Sequence, residues 1–136
     1  MTDIKAYFAS DNYRLVRSKT LLNLDSDTYD IIYVPRYAFV TDLWLYVSVA
    51  MAGGGAGTVT IGFKGNGETA DPDGFMDAGT CICTATGYKR AIQDAQPASQ
   101  GKWFNDAAGC ITITIANGTH TTLMTGFVFA QFSVLH

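Results

Sequence analysis

The most regular alternation of side chains lies between residues 43 and 51. Aliphatic side chains occupy every second position, and Trp44, Tyr46, Ser48 and Ala50 lie between them. A period of two places successive side chains on opposite faces of a β-strand, whereas a helix has a period of 3.6. The segment therefore predicts a long strand with one aliphatic and one aromatic face. The aliphatic face consists of Leu43, Leu45, Val47, Val49 and Met51.

A glycine-rich turn follows this strand at residues 53–57, and the alternation resumes with β-branched side chains at residues 58–61. Glycine adopts positive φ without a Cβ clash, and β-branched residues favour strands. We therefore expect residues 40–63 to form a central β-hairpin. The glycines do not form a phosphate-binding loop, because no Gly-Lys-Ser/Thr follows them.

Shorter runs of the same kind predict further strands on both sides of this hairpin. They cover residues 4–8, 13–17, 20–24, 29–34, 80–85, 110–115 and 121–135. Asn117-Gly118 predicts a tight turn that joins the last two strands as a second hairpin. The turn formers of residues 64–74 predict the longest loop, and residues 87–101 predict either a short helix cut by Pro97 or an irregular connection.

The last strand is apolar on both faces, which a strand with one wet face would not be. Phe127, Phe129 and Leu135 lie on one face, and Val128, Phe132 and Val134 lie on the other. We therefore expect one face to build the core and part of the other to be covered by another subunit. About eight strands, with little or no helix, predict an all-β fold: one antiparallel β-sandwich domain, residues 1–136, of jelly-roll-like topology.

The composition supports a protein that meets a partner. Only 15% of the 136 residues are charged, while 48% are hydrophobic. The net charge of -3, with no cationic run longer than Lys89-Arg90, argues against a nucleic-acid groove. The first residues include Asp3 and no long apolar run, and no stretch is long enough to span a membrane. We expect synthesis in the cytoplasm and no membrane partner.

The sequence contains no constellation that predicts catalysis or a cofactor. His120 sits beside a predicted turn and His136 is the last residue, so neither is placed beside a nucleophile. The three cysteines, Cys81, Cys83 and Cys110, are an odd number and suit reduced thiols packed as small apolar groups. We expect no enzyme activity.

An acidic stretch at residues 71–77 could in principle bind a calcium ion through Asp71, Asp73 and Asp77. It lacks the glycine and the glutamate of an EF-hand loop, and Pro72 separates the first two acids. An Asp-Pro-Asp-Gly turn is the favoured interpretation, and we expect no metal site.

The stretch from Val34 to Met76 resembles small virion proteins of tailed bacteriophages. It reads VPRYAFVTDLWLYVSVAMAGGGAGTVTIGF, followed by ADPDGFM. The resemblance implies a structural component without catalysis, namely a capsid decoration (cement) protein. Such proteins are commonly trimeric and sit over junctions between major capsid subunits, so the implied partners are further copies of the chain and the major capsid protein. The implied location is the capsid surface of the virion.

The same resemblance implies two contact regions. The residues implied at the oligomer contact are Trp44, Tyr46, Phe127 and Phe129. The region implied at the capsid or outward contact is the 65–74 loop, with Asn66, Asp71, Asp73 and Phe75.

Two other functions are compatible with the sequence. A carbohydrate- or receptor-binding module of a fibre would use exposed aromatic and acidic side chains from one loop cluster. Its candidates are Trp103, Asp106, Tyr88 and Asp73. Aromatic residues at alternating strand positions belong more often to a core or subunit interface than to a sugar platform. A head-completion or tail component would also be a β-sandwich and would differ in the number of subunits in its ring.

Overall fold

The computed structural model describes residues 13–135, which fold into ten β-strands and one short 3-10 helix at Ala91–Gln93. The strands are β1 (Tyr13–Arg17), β2 (Leu21–Leu22), β3 (Asp27–Val34), β4 (Ala38–Val49), β5 (Thr58–Gly65), β6 (Glu68–Met76), β7 (Gly87–Arg90), β8 (Lys102–Phe104), β9 (Gly109–Ala116) and β10 (Thr125–Val134). The prediction of an all-β sandwich is confirmed. The strand expected at residues 4–8 lies outside the described residues.

The strands form two antiparallel sheets with the strand order of a jelly roll. Sheet 1 has the order β1-β10-β4-β7, with β2 beside β10 and β8 beside β4, and sheet 2 has the order β3-β9-β5-β6. Early strands pair with late strands in reverse order: β1 with β10, β3 with β9, β4 with β7, and β5 with β6. A long antiparallel ribbon that rolls up into two layers produces this order.

The predicted central hairpin is wrong, because β4 belongs to sheet 1 and β5 to sheet 2. The glycine turn between them crosses from one sheet to the other and packs on residues 117–122. Thr119 donates its backbone N–H to the Gly55 carbonyl at 2.9 Å. A Cβ at Gly54 would lie 2.1 Å from the Thr119 carbonyl oxygen. The glycines therefore allow two crossing loops to touch, a role that their sequence does not distinguish from a hairpin turn.

The predicted hairpin at Asn117-Gly118 is wrong for the same reason, since β9 lies in sheet 2 and β10 in sheet 1. A hairpin does form at residues 64–74, where a loop was predicted. Asn66 and Gly67 connect β5 to β6 with φ values of 58° and 67°. Two positive φ values in a two-residue connection suit a type I′ turn. Pro72 lies in β6, an edge strand, where a missing N–H is tolerated.

The strand predicted at residues 80–85 is also wrong, because the segment forms turns and bends. Cys81 and Cys83 are nevertheless buried free thiols, as predicted, and burial raises the pKa of both. Residues 87–101 contain β7 and the 3-10 helix, followed by an irregular connection. Neither β7 nor β8 was predicted.

The core lies between the two sheets and contains the inner face of β4. Leu43, Leu45 and Val47 are fully buried, as the alternation predicts, and so are Ala38 and Val40. The buried side chains have odd numbers from Leu43 to Val47 and even numbers at Ala38 and Val40. This change follows from a shift in the register between β4 and β10, which leaves Thr41 without a partner on β10. Such a bulge turns the side chains beyond it to the other face. Val49, expected on the buried face, is exposed.

Candidate functional site

The four residues expected at an oligomer contact lie together on the outer face of sheet 1. Tyr46 is opposite Phe127, and Trp44 is opposite Phe129, in the register of β4 and β10. The ring centroids of Tyr46 and Phe127 are 5.1 Å apart, and those of Phe127 and Phe129 are 5.2 Å apart. All four side chains are half-buried. Their grouping follows from the alternation of two neighbouring strands.

The neighbouring strands extend this surface on both sides. Tyr88 of β7 is 65% exposed, and its ring centroid lies 4.6 Å from that of Tyr46. Leu15 of β1 is 59% exposed. An open groove of about 330 Å³ runs between Leu15, Trp44, Tyr88 and Phe129. We call this surface the aromatic face, and it comprises Leu15, Trp44, Tyr46, Tyr88, Phe127 and Phe129.

Two arginines flank the aromatic face. The Arg17 guanidinium lies 4.9 Å from the Phe127 ring centroid, and that of Arg90 lies 5.3 Å from the Trp44 centroid. Arg90 also donates Nε–H to Asp42 Oδ2 at 3.0 Å. A cation is attracted to the face of an aromatic ring, so these contacts restrain both the guanidinium groups and the rings. The face therefore combines an apolar centre with a charged margin, which is the pattern of protein–protein interfaces.

The outer face of sheet 2 is polar instead. Thr28 and Thr60 lie opposite Thr114 on its two sides, and the hydroxyls of Thr28 and Thr114 are 2.9 Å apart. Lys64 forms an ion pair with Asp30 at 2.6 Å. The threonines of β9 thus alternate with its buried isoleucines, and Thr114 pairs with threonines of both neighbouring strands. Such a polar face is stable in water, although Tyr33 is exposed at its edge. Within residues 13–135, the larger cluster of exposed aromatic rings lies on sheet 1.

Two of the four residues expected at an outward contact are buried. Phe75 is 1% exposed, and its ring meets that of Phe63 edge-on with 6.0 Å between the centroids. Asn66 is 6% exposed. The expectation of an outward role is therefore wrong for both side chains, because their segment is a hairpin packed on the body and not a loop. Asp71 and Asp73 are half-buried on β6, and their contact role stays a prediction.

Asp77, the last acid of residues 71–77, serves the protein's own structure. Asp77 Oδ1 accepts the backbone N–H groups of Gly79 and Thr80 at 3.0 and 3.1 Å, and its Oδ2 accepts Gln96 Nε2 at 3.1 Å. A hydrogen bond with Asp71 raises the pKa of Asp73, with burial as the second cause. Within residues 13–135, His, Cys, Asp and Glu form no group of three that could hold a metal ion.

The four candidates for glycan binding do not form one cluster. Tyr88 lies opposite Tyr46, and Trp103 lies opposite Phe39. The two β4 partners, Phe39 and Tyr46, are seven positions apart, which corresponds to roughly 20 Å along a strand. Asp106 lies near Asn66, where its N–H donates to the Asn66 side chain, and Asp73 lies in the other sheet. The expected loop cluster is therefore wrong.

The sequence interpretation missed Leu15 and the arginines as parts of the aromatic face, and it placed Tyr88 with the wrong neighbours. Tyr13, Leu15 and Arg17 alternate along β1, and this signal could have assigned them to one face. Tyr88 had no such signal, because β7 has only four residues and lies inside a segment that suggested a helix. Among the described residues, no helix has the length and apolar character that crossing a membrane requires.

The fold defines a class, the jelly-roll β-sandwich, and comparison with solved structures agrees. The chain superposes on a chain in the acidic stable capsid structure of Helicobacter pylori bacteriophage KHP30 with a TM-score of 0.65, at 13% identity, over 90% of this chain and 87% of that one. It superposes on a chain in the cyanophage Pam1 capsid asymmetric unit with a TM-score of 0.62, at 12% identity, over 91% of this chain and 86% of that one. At these identities the likeness is one of fold. No family model and no curated protein matches the sequence.

Proposed function

We propose that the chain is a non-enzymatic structural protein of a bacteriophage virion. In this proposal it is a capsid decoration (cement) protein, which forms a homotrimer and binds between major capsid subunits at the capsid surface after synthesis in the host cytoplasm. The observation that carries the proposal is the aromatic face. A jelly roll with a closed core needs no second apolar surface, so the exposed rings of sheet 1 favour burial against another copy.

The make-up of the aromatic face supports self-association. Aromatic residues and arginine are enriched at protein–protein interfaces, and the centre of such interfaces is poor in charge. On this face Arg17 and Arg90 lie over rings, and Asp42 pairs with Arg90. A stable interface buries about 800 Å² per partner, so we expect the contact to extend over all four neighbouring strands of this face.

The solved structures of similar fold support a place in the virion. Both belong to bacteriophage capsids, and the likeness extends over most of each chain. Since the fold alone does not define a function, the proposal joins this likeness to the aromatic face and to the resemblance in residues 34–76.

For the contact with the major capsid protein we propose the edge of sheet 2 at β6, through Asp71 and Asp73. Both acids lie on an edge strand in the opposite sheet from the aromatic face. A trimer joined through sheet 1 would leave this edge free for a second partner. Acidic side chains there would favour a basic surface on the capsid.

The proposal is tested by sedimentation with capsid particles assembled from the major capsid protein of the same virus. We expect the chain to co-sediment at a fixed ratio and to make the particles more resistant to heat. Asp73→Lys should weaken this binding, while Asp25→Lys, an equal charge change at an exposed acid outside β6, should not. A chain that stays in the supernatant would contradict decoration. A hexameric or dodecameric ring would point to a neck or tail component instead.

A further inference from the structure

A lysine, a glutamate and an asparagine meet where the β5–β6 turn packs against β8. Glu68 occupies the centre of this group. Its Oε2 atom lies 2.7 Å from Lys102 Nζ and 2.5 Å from Asn66 Nδ2. Because one oxygen contacts both nitrogens, the amine and the carboxamide are neighbours. Asn66 belongs to the turn of sheet 2, and Lys102 belongs to sheet 1.

The amine of Lys102 is held between the carboxylate and an aromatic ring. Nζ also lies 2.8 Å from Glu68 Oε1 and 4.3 Å from the centroid of the Phe63 ring. The Lys102 side chain is only 17% exposed. These contacts restrict a flexible side chain to one position, which removes most of the entropy cost of bringing a nucleophile to a target.

The carboxamide of Asn66 is oriented and polarised by its own hydrogen bonds. Nδ2 donates to the Trp103 carbonyl at 3.0 Å as well as to Glu68, and Oδ1 accepts the Asp106 backbone N–H at 2.9 Å. A donor fixed on this oxygen stabilises the negative charge that develops there when a nucleophile adds to the carbon. Asn66 is thus a buried amide with an activated carbonyl.

We propose that Lys102 and Asn66 react to form an intramolecular isopeptide bond, with Glu68 as the proton carrier. Glu68 takes a proton from the Lys102 ammonium, and the neutral Nζ adds to Cγ of Asn66. Glu68 donates its proton to Nδ2, which leaves the tetrahedral centre as ammonia, and Glu68 then accepts the surplus proton of Nζ and releases it to water. One N–C bond forms, one N–C bond breaks, and no oxidant or other reactant is needed.

The resting state of the group is an ion pair, which makes the reaction slow. The hydrogen bond from Lys102 holds the pKa of Glu68 below its usual value, so the carboxylate is ionised at neutral pH. Proton transfer from Lys102 must therefore precede the attack. A bond formed once in the life of a molecule needs no fast turnover.

The bond would tie the two sheets together at one end of the sandwich. It would join the β5–β6 turn to β8, two elements that otherwise meet here through side-chain contacts. A cross-link between residues distant in sequence lowers the entropy of the unfolded chain. This gain does not depend on the proposed place in a virion, so the two proposals can fail independently.

Mass spectrometry of the intact full-length protein tests the proposal. We expect purified protein, after prolonged incubation, to lose the mass of one ammonia molecule. Proteolysis should then yield a branched peptide that joins Asn66 to Lys102. A protein that keeps its unmodified mass after prolonged incubation would overturn the proposal.

Two variants separate this reaction from other losses of ammonia. Asn66-Gly67 could also form a succinimide, which has the same mass change but does not involve Lys102. Lys102→Arg keeps the positive charge opposite Glu68 and should abolish the mass loss, whereas a succinimide would persist. Glu68→Gln can still accept a hydrogen bond from Asn66 but carries no proton, and it should slow the reaction at least tenfold. Ammonia loss that is unchanged in Lys102→Arg would overturn the proposal.

Discussion

At the level of single residues, the sequence correctly predicted which side chains share a face of a strand. It did not predict that side chains within segments rich in turn formers are buried. The alternation placed Trp44, Tyr46, Phe127 and Phe129 on one surface, because a strand reverses its side chains at every step. The outward role expected for Phe75 is wrong, since the turn formers around it resemble those of an exposed loop. Whether such residues form a loop or a tight hairpin depends on what packs against them, which their own sequence does not contain.

Asp94 illustrates a buried residue whose role is structural. Burial by itself raises the pKa of Asp94, but hydrogen bonds from the backbone N–H groups of Asp77, Ala95 and Gln96, together with Thr80, outweigh it and hold the pKa below its usual value. A carboxyl whose pKa is lower in the folded state stabilises the fold above its unfolded pKa, about 3.9. This contribution is lost as the pH falls through the folded pKa.

We therefore expect Asp94→Asn to lower the free energy of unfolding by about 1–3 kcal/mol at pH 7, because an amide donor would face the backbone N–H groups. The deficit should shrink as the pH falls below about 4. Urea unfolding at several pH values measures both effects. Asp25→Asn removes an equal charge at an exposed position and should change stability little. Equal losses at pH 7 and at acid pH would contradict the role of the charge.

At the level of elements, the strands were mostly predicted and their connections were not. Asn66-Gly67 and Asn117-Gly118 have the same local signal, yet one forms a hairpin within sheet 2 and the other precedes a crossing to sheet 1. The difference lies in the partner of the next strand: β10 pairs with β4 from Thr125 to Val134 and with β1 from Phe129 to Ser133. Pairing between strands distant in sequence is invisible to a local pattern.

The crossing of the glycine turn over residues 117–122 gives a prediction at this scale. A Cβ at Gly54 would collide with the Thr119 carbonyl, whereas a Cβ at Gly55 would meet no atom within 4 Å. We expect Gly54→Ala to lower the free energy of unfolding by about 2 kcal/mol or more through forced backbone shifts. Gly55→Ala should be neutral or stabilise by up to about 1 kcal/mol, since it restricts the unfolded chain.

Thermal and urea unfolding of the two variants beside the wild type measures this contrast. Neither position has a positive φ that would itself strain an alanine, so the pair differs mainly in the space around Cβ. Equal stability of the two variants would mean that the two loops do not touch as described.

At the level of the whole molecule, the main feature is the difference between the outer faces of the two sheets. Sheet 2 presents threonines and an ion pair to water, and sheet 1 presents six large apolar side chains with arginines at their margin. The sequence predicted the apolar outer face from the two apolar sides of β4 and β10. It could not define the full extent of the aromatic face, because the short strand β7 left no readable pattern.

Solution mass measured by light scattering tests most directly whether the aromatic face joins copies of the chain. We predict three times the 14.6 kDa chain mass for the wild type. Tyr88→Glu should reduce it to a single chain mass while leaving the fold intact by circular dichroism. Tyr33→Glu, which alters a 67% exposed tyrosine on the outer face of sheet 2, should stay a trimer. A wild-type protein that is a monomer at all concentrations would contradict the account, as would a Tyr88→Glu variant that keeps the wild-type mass.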